Sequence, residues 1–156
     1  MFKKMRKKSR EVFDELIEDI LANGEYGILS TISENGYPYV VPLSYVYYDR
    51  SLYFHCALEG HKLENINRNS KVSFCVVTDT EVIPNKFSTK YKSVIAFGIA
   101  SEVKGDLKQV ILMELIKKYS PDFLENGKKY VEKAKDSTTI IKIDIKHMTG
   151  KSNQFD

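Results

Sequence analysis

The densest chemistry in this sequence lies in one segment, Tyr53-Phe54-His55-Cys56-Ala57-Leu58-Glu59-Gly60-His61-Lys62-Leu63. It reads as the end of a strand passing into the start of a helix. The first N–H groups of a helix have no intrahelical partner and bind anions, phosphate among them. Gly60 lets the backbone come close to such an anion, and His61 and Lys62 add hydrogen bonds and charge. The same residues would also serve as a plain helix start with two solvated basic side chains, and spacing does not separate the two. His55 shares a strand face with Tyr53 and Ala57, opposite Leu52, Phe54 and Cys56. An imidazole there either satisfies the core or touches a ligand, because it can donate, accept and titrate near neutrality.

Other chemistries find less support. His55, Cys56, His61 and Cys75 do not make a metal site: the first two face opposite sides of one strand, and no CxxC pair or second dyad occurs. No metal is expected. Tyr45, Tyr47, Tyr48, Tyr53 and Tyr91 could stack on bases, but tyrosines are ordinary strand residues with one wet end. No RNA-binding motif accompanies them, so no nucleic-acid partner is expected. GxSxG, P-loop and Rossmann fingerprints are absent from the sequence.

The elements that must position these residues are mostly strands. Val12, Phe13, Leu16, Ile17, Ile20 and Leu21 recur at helical spacing, and Asn23-Gly24 stops the run. Tyr26 to Ser33, Tyr37 to Tyr48 and Ser51 to Ala57 read as three strands of a meander, joined at Asn35-Gly36 and Asp49-Arg50. A short helix follows over 59–69, then a strand over 71–81, a loop over 82–89 with Pro84, and a long strand over 91–104. Gly98 in that strand marks a bulge or a close approach. Helices around Leu107 to Ile116 and Lys128 to Lys135 precede a last strand from Thr139 to Ile145. Strands with short links and few helices predict a closed antiparallel barrel with peripheral helices.

A chain of 156 residues suits one domain, 1–156, in which residues 1–10 form a basic N-terminal arm. The net charge of +3 permits anion binding without demanding nucleic acid. Two lone cysteines fit a reducing cytoplasm. No apolar region of signal-peptide type follows the basic start, and no apolar run is long enough to span a bilayer, so no membrane association is expected.

Several blocks occur in a telling order: Tyr37-Pro38-Tyr39-Val40-Val41-Pro42-Leu43-Ser44-Tyr45-Val46-Tyr47, Leu52 to Ala57, Gly60-His61-Lys62-Leu63, Lys71 to Val76, Tyr91 to Gly98, and Met148-Thr149-Gly150-Lys151. With these blocks the chain resembles the pyridoxamine-phosphate-oxidase-like FMN-binding split barrels, and within them the nitroimidazole-resistance proteins. The resemblance implies a mainly β fold, an antiparallel split barrel. It implies a homodimer with two FMN sites at the interface. Pro42, Leu43 and Ser44 would lie along the flavin, and His55 would stand beside the isoalloxazine as the catalytic residue. Cys56, Ala57, Gly60, His61 and Lys62 would wrap the ribityl phosphate. Tyr91, Ser93 and Lys151 match positions that approach the cofactor, from the same subunit or its partner.

The activity implied is that of an FMN-dependent oxidoreductase passing electrons to a small nitroaromatic or similar small-molecule acceptor. Alternatives are a pyridoxamine-phosphate-oxidase-like reaction, or a flavin- or haem-binding carrier or sensor without turnover. The sequence ends Lys151-Ser152-Asn153-Gln154-Phe155-Asp156 and lacks the Arg-x-Arg stretch with which the oxidases proper hold substrate phosphate. That departure argues against vitamin B6 synthesis. His61 also stands where those enzymes tend to carry arginine.

Overall fold

A computed structural model describes residues 1–154; Phe155 and Asp156, the last two of the expected domain span, lie outside the described residues. In chain order the elements are β1 (Glu11–Val12), α1 (Asp14–Asn23), β2 (Gly27–Ile32), β3 (Pro38–Leu43), β4 (Val46–Tyr48), β5 (Ser51–Cys56), α2 (His61–Arg68), β6 (Lys71–Ile83), β7 (Ser88–Val103), α3 (Asp106–Tyr119), α4 (Leu124–Ala134) and β8 (Thr139–Asn153). The strands form one antiparallel sheet in the order β3-β2-β6-β7-β8-β5-β4, with β1 on the far end of β8. No helix among the described residues is long and apolar enough to cross a membrane.

That order dictates a barrel. β3 and β4 stand at its two ends, yet only Ser44 and Tyr45 join them. Three Cα steps reach about 11 Å at most, so the sheet must curl until its ends nearly meet. They meet without pairing, which leaves the barrel split between β3 and β4. The expected middle strand of the meander is therefore two strands. Its first half pairs with β2 and its second half with β5.

The break at Tyr45 is held from outside the sheet. Tyr45 is fully buried, and its hydroxyl donates to the Leu21 carbonyl at the end of α1, 2.5 Å away. Its N–H donates to the Tyr119 hydroxyl on α3 at 3.0 Å, and that hydroxyl donates in turn to the Glu25 carbonyl at 2.8 Å. Burial pushes the Tyr45 hydroxyl pKa well up, with Tyr119 adding to the shift, so it stays a neutral donor.

Strand alternation sorts the side chains into two cores. Leu29, Leu52, Phe54, Phe74, Val76, Val94, Ala96, Ile141 and Ile143 fill the barrel, with Ile17, Ile20 and Leu21 of α1 closing one end and Leu63 and Ile66 of α2 packed in. Val46, Tyr53, Val103 and Ile140 face the other way, against Ile111, Leu112 and Leu115 of α3 and Val131 of α4. Each such side chain contributes roughly 1.5–3 kcal/mol by leaving water.

Three strands run longer than the sequence suggests. Half of the expected loop over 82–89 is ladder: Val82 pairs Thr89 and Ile83 pairs Ser88, and a 3-10 turn at Pro84–Lys86 reverses the chain. The last strand continues past Ile145 to Asn153. The register slips between Phe97 and Gly98, leaving Lys146 unpaired with β7. This bulge reverses the inward parity, from Ile141, Ile143 and Ile145 to Met148 and Gly150. Gly98 lies at the slip, where a Cβ would come within 2.6 Å of the Asp144 carbonyl oxygen. The close approach read from the sequence is present.

Residues 1–10 begin against the sheet. Phe2 stacks on His147, ring centroids 4.7 Å apart, and tilts against Phe97 at 5.2 Å.

Candidate functional site

Among the described residues, the split leaves two strand edges without a ladder partner, and β3 pairs only with β2. β4 covers Ser51 to Tyr53 of β5 and stops, so the Phe54–Cys56 edge pairs only with β8. The two lips run side by side. Leu43 lies next to the β3–β4 joint, while Tyr39 at the other end packs tilted against His61 of α2, ring centroids 4.1 Å apart. Backbone N–H and C=O groups along such edges need partners, and a flat heteroaromatic ring with donors and acceptors on its rim can supply them.

Most of the residues read from the sequence gather at this split. Pro42, Leu43 and Ser44 form one lip, and His55, Cys56 and Ala57 the other. Leu43 packs against the barrel core, while Pro42 and Ser44 are exposed. The floor is the start of α2. Gly60 adopts φ +140°, a left-handed conformation that favours glycine, and a Cβ built there would meet nothing within 4 Å. Its carbonyl accepts the N–H groups of Leu63 and Glu64, at 2.9 and 3.1 Å. The N–H groups of His61 and Lys62 take no part in those bonds and belong to the open first turn.

His55 and Ser44, from opposite lips, line one pocket of about 180 Å³ with Leu112, Ile116, Tyr119 and Tyr130 of the outer helices. The residue stays open to solvent as a whole, but protein walls its ring on the pocket side. That desolvation pushes the imidazole pKa down, and the positive charge of Lys62 pushes it further. Both effects favour the neutral imidazole over the charged one. Cys56 points into the barrel core, so only its backbone can serve a ligand, and burial raises its thiol pKa. His55 and Cys56 face opposite ways, as their alternation requires.

Tyr91, Ser93 and Lys151 form a second cluster. Ser93 pairs with Lys151 across β7 and β8, and the Lys151 ammonium lies 5.1 Å from the Tyr91 ring. Cys56 pairs with Thr139 at one end of β8, and Lys151 lies near the other end of that strand.

The sequence did not single out the residues that hold His61. Its Nε2 lies 3.0 Å from the Ser33 hydroxyl. Asn65, 1% exposed, donates to the Thr31 hydroxyl at 3.0 Å and to Ser33 at 3.4 Å. A signal was there: Asn65 is a polar residue between Leu63 and Ile66 on the packed face of a short helix. Tyr119, Ser120 and Tyr130 around His55 carried no such signal, because helices far along the chain bring them in.

The fold is an antiparallel split barrel with peripheral helices, and its site is a cleft between unpaired edges above a helix start. The sequence profile of the pyridoxamine 5'-phosphate oxidase family matches residues 14–152, and the chain belongs to that family. Solved structures share the fold. A candidate 5-nitroimidazole antibiotic resistance protein from Bacteroides thetaiotaomicron is 24% identical, with a TM-score of 0.77 over 90% of this chain and 85% of that one. An FAD-binding protein from Mesorhizobium loti is 23% identical, with a TM-score of 0.66 over 93% of this chain and 98% of that one. An FAD- and haem-binding protein from Mycobacterium smegmatis is 16% identical, with a TM-score of 0.82 over 94% of this chain and 74% of that one. No curated protein matches the chain by sequence.

Proposed function

We propose that this protein is a cytoplasmic, homodimeric FMN-dependent oxidoreductase that reduces a small nitroaromatic or similar acceptor. The observation that carries the reading is the arrangement at the split: two unpaired strand edges, the open Gly60–Lys62 helix start below them, and His55 at the side, its charged form disfavoured. The donor set fits a phosphate-bearing planar cofactor. The free N–H groups, the Lys62 ammonium and the open space at Gly60 suit a phosphate, and the strand edges suit a flat ring. The 5-nitroimidazole resistance neighbour favours this acceptor class, and the FAD-binding neighbours favour a flavin.

Bound FMN would supply the electron transfer. The residues of this chain would do the rest. Lys62 and the α2 N–H groups hold the phosphate. Pro42 and Leu43 lie along the ring. His55 orients the acceptor in the pocket it shares with Ser44, and passes a proton through a ring nitrogen. Tyr91, Ser93 and Lys151, near the other end of β8 from the Cys56 lip, serve the site of a second copy of the chain. The two unpaired cysteines suit a reducing compartment.

The test is to denature the purified protein and identify the released cofactor by mass, then reduce the holoprotein anaerobically and add a nitroaromatic. Release of FMN and fast reoxidation are expected. Haem or no flavin at all would overturn the reading, and FMN that does not reoxidise with any nitroaromatic would make the protein a carrier.

A further inference from the structure

We propose that Ser33 and Asn65 are positioning residues that lock His61 with its proton on Nδ1, turning it into a fixed donor to the cofactor phosphate. The proposal rests on the reading that α2 begins at a phosphate site. Both N–H bonds of the buried Asn65 amide are spent, one on the Thr31 hydroxyl and one on the Ser33 oxygen. Ser33 Oγ accepts from Asn65 and lies 3.0 Å from His61 Nε2, close enough for its own O–H to donate there. An imidazole nitrogen that accepts a hydrogen bond carries no proton, so the neutral ring must hold its proton on the other nitrogen. The Tyr39 ring packs against the imidazole, centroids 4.1 Å apart. His61 is the first residue of α2, so a donor fixed there adds to the open N–H groups of the same turn.

The arrangement makes a histidine do part of the work of a permanently charged side chain. A lone imidazole at a helix start could present either tautomer, and one of them would turn a lone pair toward an anion. The relay from Asn65 through Ser33 removes that choice. The carboxylates nearby, Glu34 and Glu64, line the outer side of this cluster with Arg68, and Arg68 pairs with Glu34 at 3.2 Å.

The test uses the whole chain stripped of cofactor. Long-range ¹H–¹⁵N spectra at pH 8 report the tautomer of His61, with its signals assigned by their loss in His61→Gln. Binding of FMN and of riboflavin, read by fluorescence quenching, reports phosphate recognition. The wild type should show the Nδ1–H form and prefer FMN. Ser33→Ala should release the tautomer and cut the FMN-to-riboflavin preference about tenfold, the worth of one hydrogen bond to a charged group. Ser33→Thr keeps the hydroxyl and should restore both signals, which a general loss of fold would not allow. An Nε2–H tautomer in the wild type, or a preference untouched by Ser33→Ala, overturns the proposal and leaves the phosphate reading standing. A wild type that binds riboflavin as well as FMN overturns both.

Discussion

Lys118 on α3 holds its ammonium 3.8 Å above the ring of Tyr45 and has no hydrogen-bond partner there. Tyr45 is the residue at which the barrel breaks, so this contact helps tie α3 to the joint. Burial lowers the Lys118 pKa to about 8. The unfolded chain keeps its proton up to the ordinary lysine range, so between the two values the unfolded state holds more protons and stability rises with pH. A shift of this size on a fully buried amine would cost about 3 kcal/mol at neutral pH. Partial exposure and a cation–π attraction of about 1 kcal/mol offset much of it. Lys118→Met should therefore stabilise the protein at pH 7 by about 1 kcal/mol, and the gain should fade toward pH 10. Melting temperatures of both proteins across that range decide it. A loss of stability at pH 7 would mean that the cation–π contact outweighs the burial.

The proposed dimer is open to a sharper test than a measured mass. Strand register lines Val77, Ile95 and Phe97 on the outer face of β6 and β7, where all three are exposed. An apolar row of this kind suits an interface of at least the standard size, about 1,600 Å². Light scattering should give a dimer, and Ile95→Lys should shift it toward monomer with loss of cofactor. If each site takes Lys62 from one chain and Lys151 from the other, the two variants Lys62→Ala and Lys151→Ala should complement. Co-expressed in equal amounts, they should restore about a quarter of the sites, the statistical share in a two-fold dimer. No recovery beyond the separate variants would put both lysines in one chain's site or in none.

Lys62→Ala should weaken FMN about ten- to hundred-fold, the range for a hydrogen bond to a charged group. The fold should be intact, because Lys62 is only partly buried and reaches out from the first turn of α2. Riboflavin has no phosphate and should bind the two proteins alike. Equal weakening of both ligands, measured by fluorescence titration, would remove Lys62 from the phosphate site.

Much of the fold is legible in the sequence, because local chemistry and tertiary structure agree there. Asn35-Gly36 reads as a tight turn, and Gly36 takes φ +84° in it. Tyr53 and His55 read as one face of β5 and Phe54 as the other, and they divide between the outer face and the barrel core in that way. The break at Ser44-Tyr45 is hidden, because Tyr37 to Tyr48 is made of strand formers apart from Pro38, Pro42 and Ser44, and neither proline stands at the break. What breaks it is a hydroxyl on Tyr119, 74 positions away. The second half of β8 is hidden for another reason. The bulge at Lys146 moves the inward positions from odd to even numbers, so a search for strict alternation stops at Ile145. The candidate site divides in the same way. Gly60, His61 and Lys62 are neighbours in sequence and stand out, whereas Ser33 and Asn65 meet His61 only once β2 and α2 pack.

His55→Ala should damage turnover far more than cofactor retention, and the pH profile tells why. His55 belongs to β5 and not to α2, so Lys62 and the Gly60 turn should still hold phosphate in the variant. A positioned acid or base contributes about 10²–10⁴-fold to rate, and a loss of that order at full FMN occupancy is expected. Burial, and then the charge of Lys62, depress the imidazole pKa. The acid limb of the wild-type profile should accordingly lie below the ordinary histidine range, with activity flat through neutrality. Lys62→Met, assayed at saturating FMN, removes the second cause and should move that limb to higher pH. Stability carries the same sign: the unfolded chain takes up the proton first, so His55 costs stability as the pH falls below about 6.5, and His55→Ala should soften that acid loss. The measurements are FMN content, melting temperature and reoxidation rate against pH on one preparation. A joint loss of melting temperature and FMN in His55→Ala would make the residue part of the packing between β5 and the outer helices. An acid limb that stays put in Lys62→Met would mean that some group other than His55 moves the proton.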